Sequence, residues 1–165
     1  ENGISFDSSY NPSVAIGTAD IAPGCTITRP VKINGVTEFP VTVFKDPFKG
    51  KLRHLQLAAC SFAEMAYVLN RAADAGWESA VIVSHNFEFL TPSKLKRDRI
   101  TADRMRQLCA FLRRHPDRFN VHGFAGLEPQ SHLSDTQSSP FKNSYWATGR
   151  RLVEQGIRRR REARD

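Results

Sequence analysis

Ala80-Val81-Ile82-Val83-Ser84-His85-Asn86-Phe87-Glu88-Phe89-Leu90 begins as an apolar run of strand length and ends in a histidine and other polar groups. A strand buried in a parallel sheet delivers whatever follows it to the sheet's carboxyl edge, where α/β folds bind ligands and do chemistry. His85 is therefore the first candidate for a functional side chain. A histidine at a strand end also serves as a hydrogen-bonded structural group, so position alone does not assign it a task.

The flanking sequence sets the fold class. Ser61-Phe62-Ala63-Glu64 has the form of a capping box, with Ser61 placed to accept from an early helical N–H and Glu64 to reach back. Phe62, Met65, Ala66, Leu69, Ala72 and Ala73 then recur three or four apart, which predicts a helix from Ser61 to Ala75, with Gly76 as the residue that ends it. Thr101 can cap a second helix, with Asp103 in its first turn, a stripe of Met105, Leu108, Cys109 and Leu112, and Pro116 as its stop. Arg118 to Phe124 reads as another short strand. Helix, strand, helix, strand is the order of a wound α/β unit.

These segments resemble a family. The capped helix carrying Glu64-Met65, then Gly76-Trp77, then the run from Val81 to Leu90, is similar to the carboxyl-terminal part of polysaccharide deacetylases of the NodB-homology type. Gly3-Ile4-Ser5-Phe6-Asp7-Ser8-Ser9-Tyr10 and Gly35-Val36-Thr37-Glu38-Phe39-Pro40-Val41 resemble two earlier segments of that family, so the likeness covers residues 1–125. It implies the later portion of a distorted (β/α)7 barrel, hydrolysing N-acetyl or O-acetyl groups on a carbohydrate with help from zinc or a similar divalent metal. Val83-Ser84-His85 matches the family's final motif, and the resemblance implies that His85 is catalytic, protonating the leaving amine or alkoxide as a general acid. Asp7 and Glu38 become candidates for lining the substrate site, Asp7 being also able to form an Asx turn with Ser8 and Ser9.

The departures from the family are specific. Its aspartate pair, its H-x-x-x-H run and its arginine motif are missing; His54, His85, His115, His122 and His132 are too dispersed to supply the run. The chain opens at Glu1 inside a segment that the family places mid-domain. The expectation is the later part of a longer protein, without its metal-binding half and with no metal site of its own. A metal-free relative that binds carbohydrate without cutting it is the alternative.

Between Asn11 and Leu57 the many Pro and Gly residues exclude a long helix and favour short β segments. The clearest runs from Val36 to Phe44, demoted to an edge by Pro40. His54 lies in an alternating run, Lys51 to Leu57, and reads as part of a solvated strand face, while His122 resembles His85 only in ending a short apolar segment. Cys25, Cys60 and Cys109 are odd in number and lack a C-x-x-C pair, which suggests reduced, mostly buried thiols and a cytoplasmic setting.

Charge is concentrated at one end. Of the formal +7, eight basic and three acidic residues after Phe141 contribute +5. A polar linker from Ser131 and a basic tail from Tyr145 to Asp165 are expected beyond a deacetylase-like domain of residues 1–130. Such a tail either lies solvated, docked by Trp146 and Leu152, or binds nucleic acid or anionic lipid through phosphates. No aromatic-basic stacking platform accompanies it, so nucleic acid ranks behind an acetylated sugar as partner. No transmembrane stretch is present.

Overall fold

The computed structural model describes residues 3–14, 26–91, 96–127 and 139–162, with 161 and 162 described by backbone alone. Cys25, His132 and positions 131–138 of the expected linker lie outside the described residues. The fold is mixed α/β, with small sheets and three helices.

Strand β1 (Phe6–Asp7) pairs in parallel with β3 (Val36–Glu38), which pairs antiparallel with β2 (Val31–Ile33). The β2–β3 hairpin turns at Asn34 and Gly35, both at positive φ (49° and 87°), the backbone that a two-residue Asn-Gly turn favours. A second pair joins β4 (Val43–Lys45) to β5 (Leu52–His54).

The single strand expected over Val36–Phe44 is thus split. Pro40 has no N–H to offer a ladder, and the next two residues bond to different neighbours: Val41 N–H donates to Tyr10 O at 2.9 Å and Thr42 N–H to Val81 O at 3.2 Å. The chain here passes from one sheet to the next.

Residues 80–84 run beside the segment that follows β5. Val83 N–H donates to Leu55 O (2.8 Å) and Leu57 N–H to Val83 O (3.0 Å), a parallel bridge rather than a full strand, and Val81 to Val83 are half-buried rather than buried. His85 then leads into a 3₁₀ turn, Asn86–Phe89. The strand expected over Arg118–Phe124 does not form: the segment opens in a turn, lacks ladder partners among the described residues, and leaves Val121 and Phe124 exposed.

Helix α1 (Phe62–Asp74) carries the complete capping box, Ser61 Oγ accepting from Glu64 N and Glu64 Oε2 from Ser61 N, and Gly76 at φ +65° ends it. Helix α2 (Arg99–Arg114) starts earlier than expected, because Asp98 rather than Thr101 is the cap and accepts from Thr101 N–H at 3.0 Å. Met65, Val68 and Leu69 of α1 meet Leu108 of α2 over Phe44, Leu55, Leu57 and Cys60 in one core. Cys60 is buried, which pushes its thiol up to about 11, whereas Cys109 is exposed, contrary to the expectation of buried thiols.

Helix α3 (Tyr145–Glu162) is where the basic segment departs most from expectation. It packs on α1 through buried Ala147, Thr148 and Arg151, while Trp146 and Leu152, the expected docking residues, are exposed. Arg151 explains the difference. Its Nε donates to the fully buried Glu64 at 3.1 Å and its Nη2 to Asp46 at 3.1 Å. Glu64 also accepts from Thr148 Oγ1 at 3.1 Å and meets Arg53 Nη1 at 3.5 Å, so two carboxylates and two guanidiniums close a neutral network. Arg104–Glu154 (2.8 Å) and Arg158–Asp98 (2.5 Å) extend the attachment to α2.

Candidate functional site

The carboxyl ends of β1 and β3 lie side by side because the strands are parallel, and the register makes Asp7 and Glu38 partners. Side chains at a shared register position project to the same face, so the pairing brings the two carboxyl groups together. Glu38 is 3% exposed and accepts from Tyr10 N–H at 3.1 Å. Asp7 accepts from Ser9 Oγ and Ser8 N–H, both at 2.8 Å, a local side-chain arrangement rather than the expected Asx turn, which would take the Ser9 N–H, and it faces Glu38 as well.

Their surroundings treat the two acids oppositely. The Ser9 hydroxyl chiefly holds Asp7 below its ordinary value; burial opposes it, and the Ser8 N–H and the Glu38 side chain add to the lowering. Burial, then the charge of Asp7 and the hydrogen bond to it, raises Glu38 in spite of the Tyr10 N–H. Of the two, Glu38 is therefore the one that takes up a proton first as pH falls, while Asp7 keeps its charge longer.

From Tyr10 the chain continues to a second polar group. Ser13 Oγ lies 2.8 Å from His54 Nδ1 and 2.8 Å from Asn11 Oδ1; His54 Nε2 lies 3.0 Å from Gln56 Oε1; Gln56 Nε2 donates to Glu88 Oε1. Donor and acceptor rules fix part of this chain. Glu88 needs the amide nitrogen of Gln56, which leaves the amide oxygen to accept from His54 Nε2–H. The single hydroxyl proton of Ser13 can then go to Asn11, with Nδ1–H donating to Ser13, or to a bare Nδ1. Glu88 is buried, and its second oxygen has no partner among the described residues.

His54, Gln56, Ser13 and Glu88 were not singled out by the sequence reading, which put His54 on a solvated strand face. His54 is half-buried and fully hydrogen-bonded. The available signal was the two-residue spacing of His54 and Gln56 against the buried Leu55 and Leu57, which puts both polar groups on one face.

His85 stands where the sequence places it, directly after residues 80–84, and it is exposed. Its ring stacks on Phe87 (5.1 Å between centroids, 5° between planes), its carbonyl accepts from Glu88 N–H, and no described side chain hydrogen-bonds the imidazole. Both ring nitrogens remain available to a ligand. His122 is exposed on the other side of the 80–83 segment, where it lines a cavity of about 580 Å³ with Leu69, Trp77, Ile82, Phe119 and Phe124. Neither His85 nor the Asp7–Glu38 pair belongs to that lining.

Among the described residues no three His, Cys, Asp or Glu side chains converge as metal ligands, and a catalytic zinc needs three. The described residues do not assemble a ligand set for the divalent metal that the resemblance implies. No described helix is long and apolar enough to cross a membrane. Comparison of the chain with family models, with curated proteins and with solved structures finds no match.

Proposed function

We propose that this chain belongs to a carbohydrate deacetylase of the polysaccharide deacetylase type and contributes the later strands of its (β/α)7 barrel. One observation carries the reading: Asp7 and Glu38 end two strands paired in parallel, and His85 follows by two residues the parallel bridge of Val83 to its neighbour. Carboxyl ends of parallel segments are where α/β folds assemble their sites. All three residues fall in the segments that resemble the family.

In this reading Asp7 and Glu38 bind hydroxyls of an acetylated sugar. Asp7, the more readily charged of the two, accepts from a sugar hydroxyl. His85 acts once water has added to the acetyl carbonyl: as the tetrahedral intermediate collapses, the carbon–nitrogen or carbon–oxygen bond breaks, the imidazolium proton goes to the leaving amine or alkoxide, and acetate departs. The part of these residues is confined to holding the sugar and to this proton transfer. A cytoplasmic role in surface-polysaccharide assembly goes with this reading.

The test is acetate release from acetylated oligosaccharides by the protein, with binding of the same sugars followed in parallel. Release that fails in a His85→Ala variant supports the reading; wild-type release by that variant overturns it. The missing ligand set favours a second reading, a relative that binds carbohydrate without cutting it, and sugar binding with no acetate release would select it. Nucleic acid stands further off, because Arg104, Arg151 and Arg158 are held in internal ion pairs rather than presented to phosphates.

A further inference from the structure

Helix α3 has a bonded side and an open one. Away from the Ala147–Thr148–Arg151 contact it leaves Trp146 (67%), Val153 (62%), Leu152 and Ile157 exposed. At the start of the helix, Phe48 (59% exposed), carried on the turn between β4 and β5, meets Tyr145 (55%) edge to face at 5.2 Å. Large rings held in water together with aliphatic side chains mark a surface that something covers.

The charges around them identify what. Lys45, Lys49, Lys51, Lys142 and Arg150 are all exposed, and Asp46, the one acid within residues 45–51 and 142–153, is buried beneath Arg53 and Arg151. The cations stay close to the rings: Lys142 Nζ lies 5.0 Å from the Tyr145 centroid and the Arg150 guanidinium 5.2 Å from that of Trp146. A second copy of the chain docked face to face would set these cations against one another. Nucleic acid would satisfy the cations but give Leu152, Val153 and Ile157 nothing apolar to enter.

We infer that this face docks on an anionic lipid bilayer. Phe48, Tyr145 and Trp146 enter at headgroup depth, the aliphatic side chains of α3 follow them, and the lysines and arginines lie over the lipid phosphates, the composition of an interfacial amphipathic helix. Each cation near such a surface strengthens binding about five-fold and the effect fades with salt.

Flotation of the protein with vesicles tests this, using phosphatidylcholine alone against an equal-parts mixture with phosphatidylglycerol. Binding to the mixed vesicles only, weakened by salt and accompanied by a blue shift of tryptophan emission that Trp146→Phe removes, is the expected result. Phe48→Ser with Trp146→Ser should weaken partition at least ten-fold, and Lys49→Glu with Arg150→Glu should abolish it. Helical circular dichroism should be unchanged in both, since all four side chains are exposed. Three results would overturn the inference: no binding to the mixed vesicles, equal binding by the Phe48→Ser/Trp146→Ser variant, or self-association in solution that these substitutions dissolve. Tight binding of a DNA duplex without vesicle binding would do the same and assign the cations to nucleic acid.

Discussion

Asp7 and Glu38 are shifted in opposite directions, and the sign of the linkage to folding differs for each. Asp7, held below 3.8, favours the folded state above that pH, and its contribution is lost as pH falls through its folded value. Glu38, raised above 4.5, favours folding while protonated, and that contribution is lost as pH rises through its folded value. Glu38→Gln keeps an acceptor for the Tyr10 N–H and removes the titration. The thermal midpoint of this variant should match or exceed that of the parent above the folded value of Glu38, with the gap closing as pH falls through that value toward 4.5; melts of both proteins across this range that differ by a constant amount would show that Glu38 does not titrate as argued. His85 sets a different test. Its exposed ring stacks on the exposed Phe87 and hydrogen-bonds no described side chain, so His85→Ala should change the midpoint little while kcat for deacetylation by an active protein falls by roughly 10²- to 10⁴-fold. Because the proton is needed chiefly in the transition state, KM should move much less. His122→Ala, at the cavity, is the comparison. Loss of kcat in step with unfolding, or by both variants equally, would make His85 a structural residue.

At the scale of elements, local signals carried as far as local energetics reach. The capping box of α1 and its apolar stripe were legible because side chain and backbone three residues apart decide them. The start of α2 was misplaced by three residues because Asp98 and Thr101 are both competent caps, and the choice depends on Arg158 reaching Asp98 from far along the chain. The 80–84 segment was legible as extended, and the histidine after it as terminal; the 118–124 segment, more polar and carrying Gly123, has no neighbour to pair with among the described residues, and pairing is not written in a single strand. His54 was missed for the same reason, since Ser13 meets it, and Glu88 meets its partner Gln56, only through the fold. The largest surprise is Glu64. Its capping task explains one oxygen, while the other serves Arg151, Thr148 and Arg53. Truncating Arg151 to Ala leaves Glu64 and Asp46 short of a buried cation, a loss of about 3–5 kcal/mol and a drop in thermal midpoint on the order of 10 °C. Arg150→Ala, one position away and exposed, should change stability by less than about 0.5 kcal/mol. Equal melting of the two variants would mean that the network is not formed.

For the whole molecule, the basic segment is the piece that joins the rest. Its positive charge suggested a solvated arm, yet α3 contributes Arg151 to the buried network, Glu154 to Arg104, Arg158 to Asp98, and the Ala147 carbonyl that accepts from Ser61 Oγ at 3.1 Å. Charge thus has two uses on one helix: the inner arginines neutralise buried carboxylates of α1, α2 and the β4–β5 turn, while the outer cations face solvent. Composition counts both alike, which is why it could not separate them. Deleting residues 145–165 removes all of the inner contacts at once. Domains of this size hold about 5–15 kcal/mol in total, and the Arg151 pairing alone accounts for about 3–5 of it. The truncated chain should therefore lose cooperative unfolding and expose apolar surface to dye at ambient temperature. A conservative alternative separates packing from charge: replacing Arg159 and Arg160 by Gln removes outer charge and leaves every inner contact in place, so its melt should overlay that of the parent. If the deletion melted cooperatively within a few degrees of the parent, the helix would be an appendage after all, and the neutral network of Glu64, Asp46, Arg53 and Arg151 would have to be dispensable to a core that is built around it.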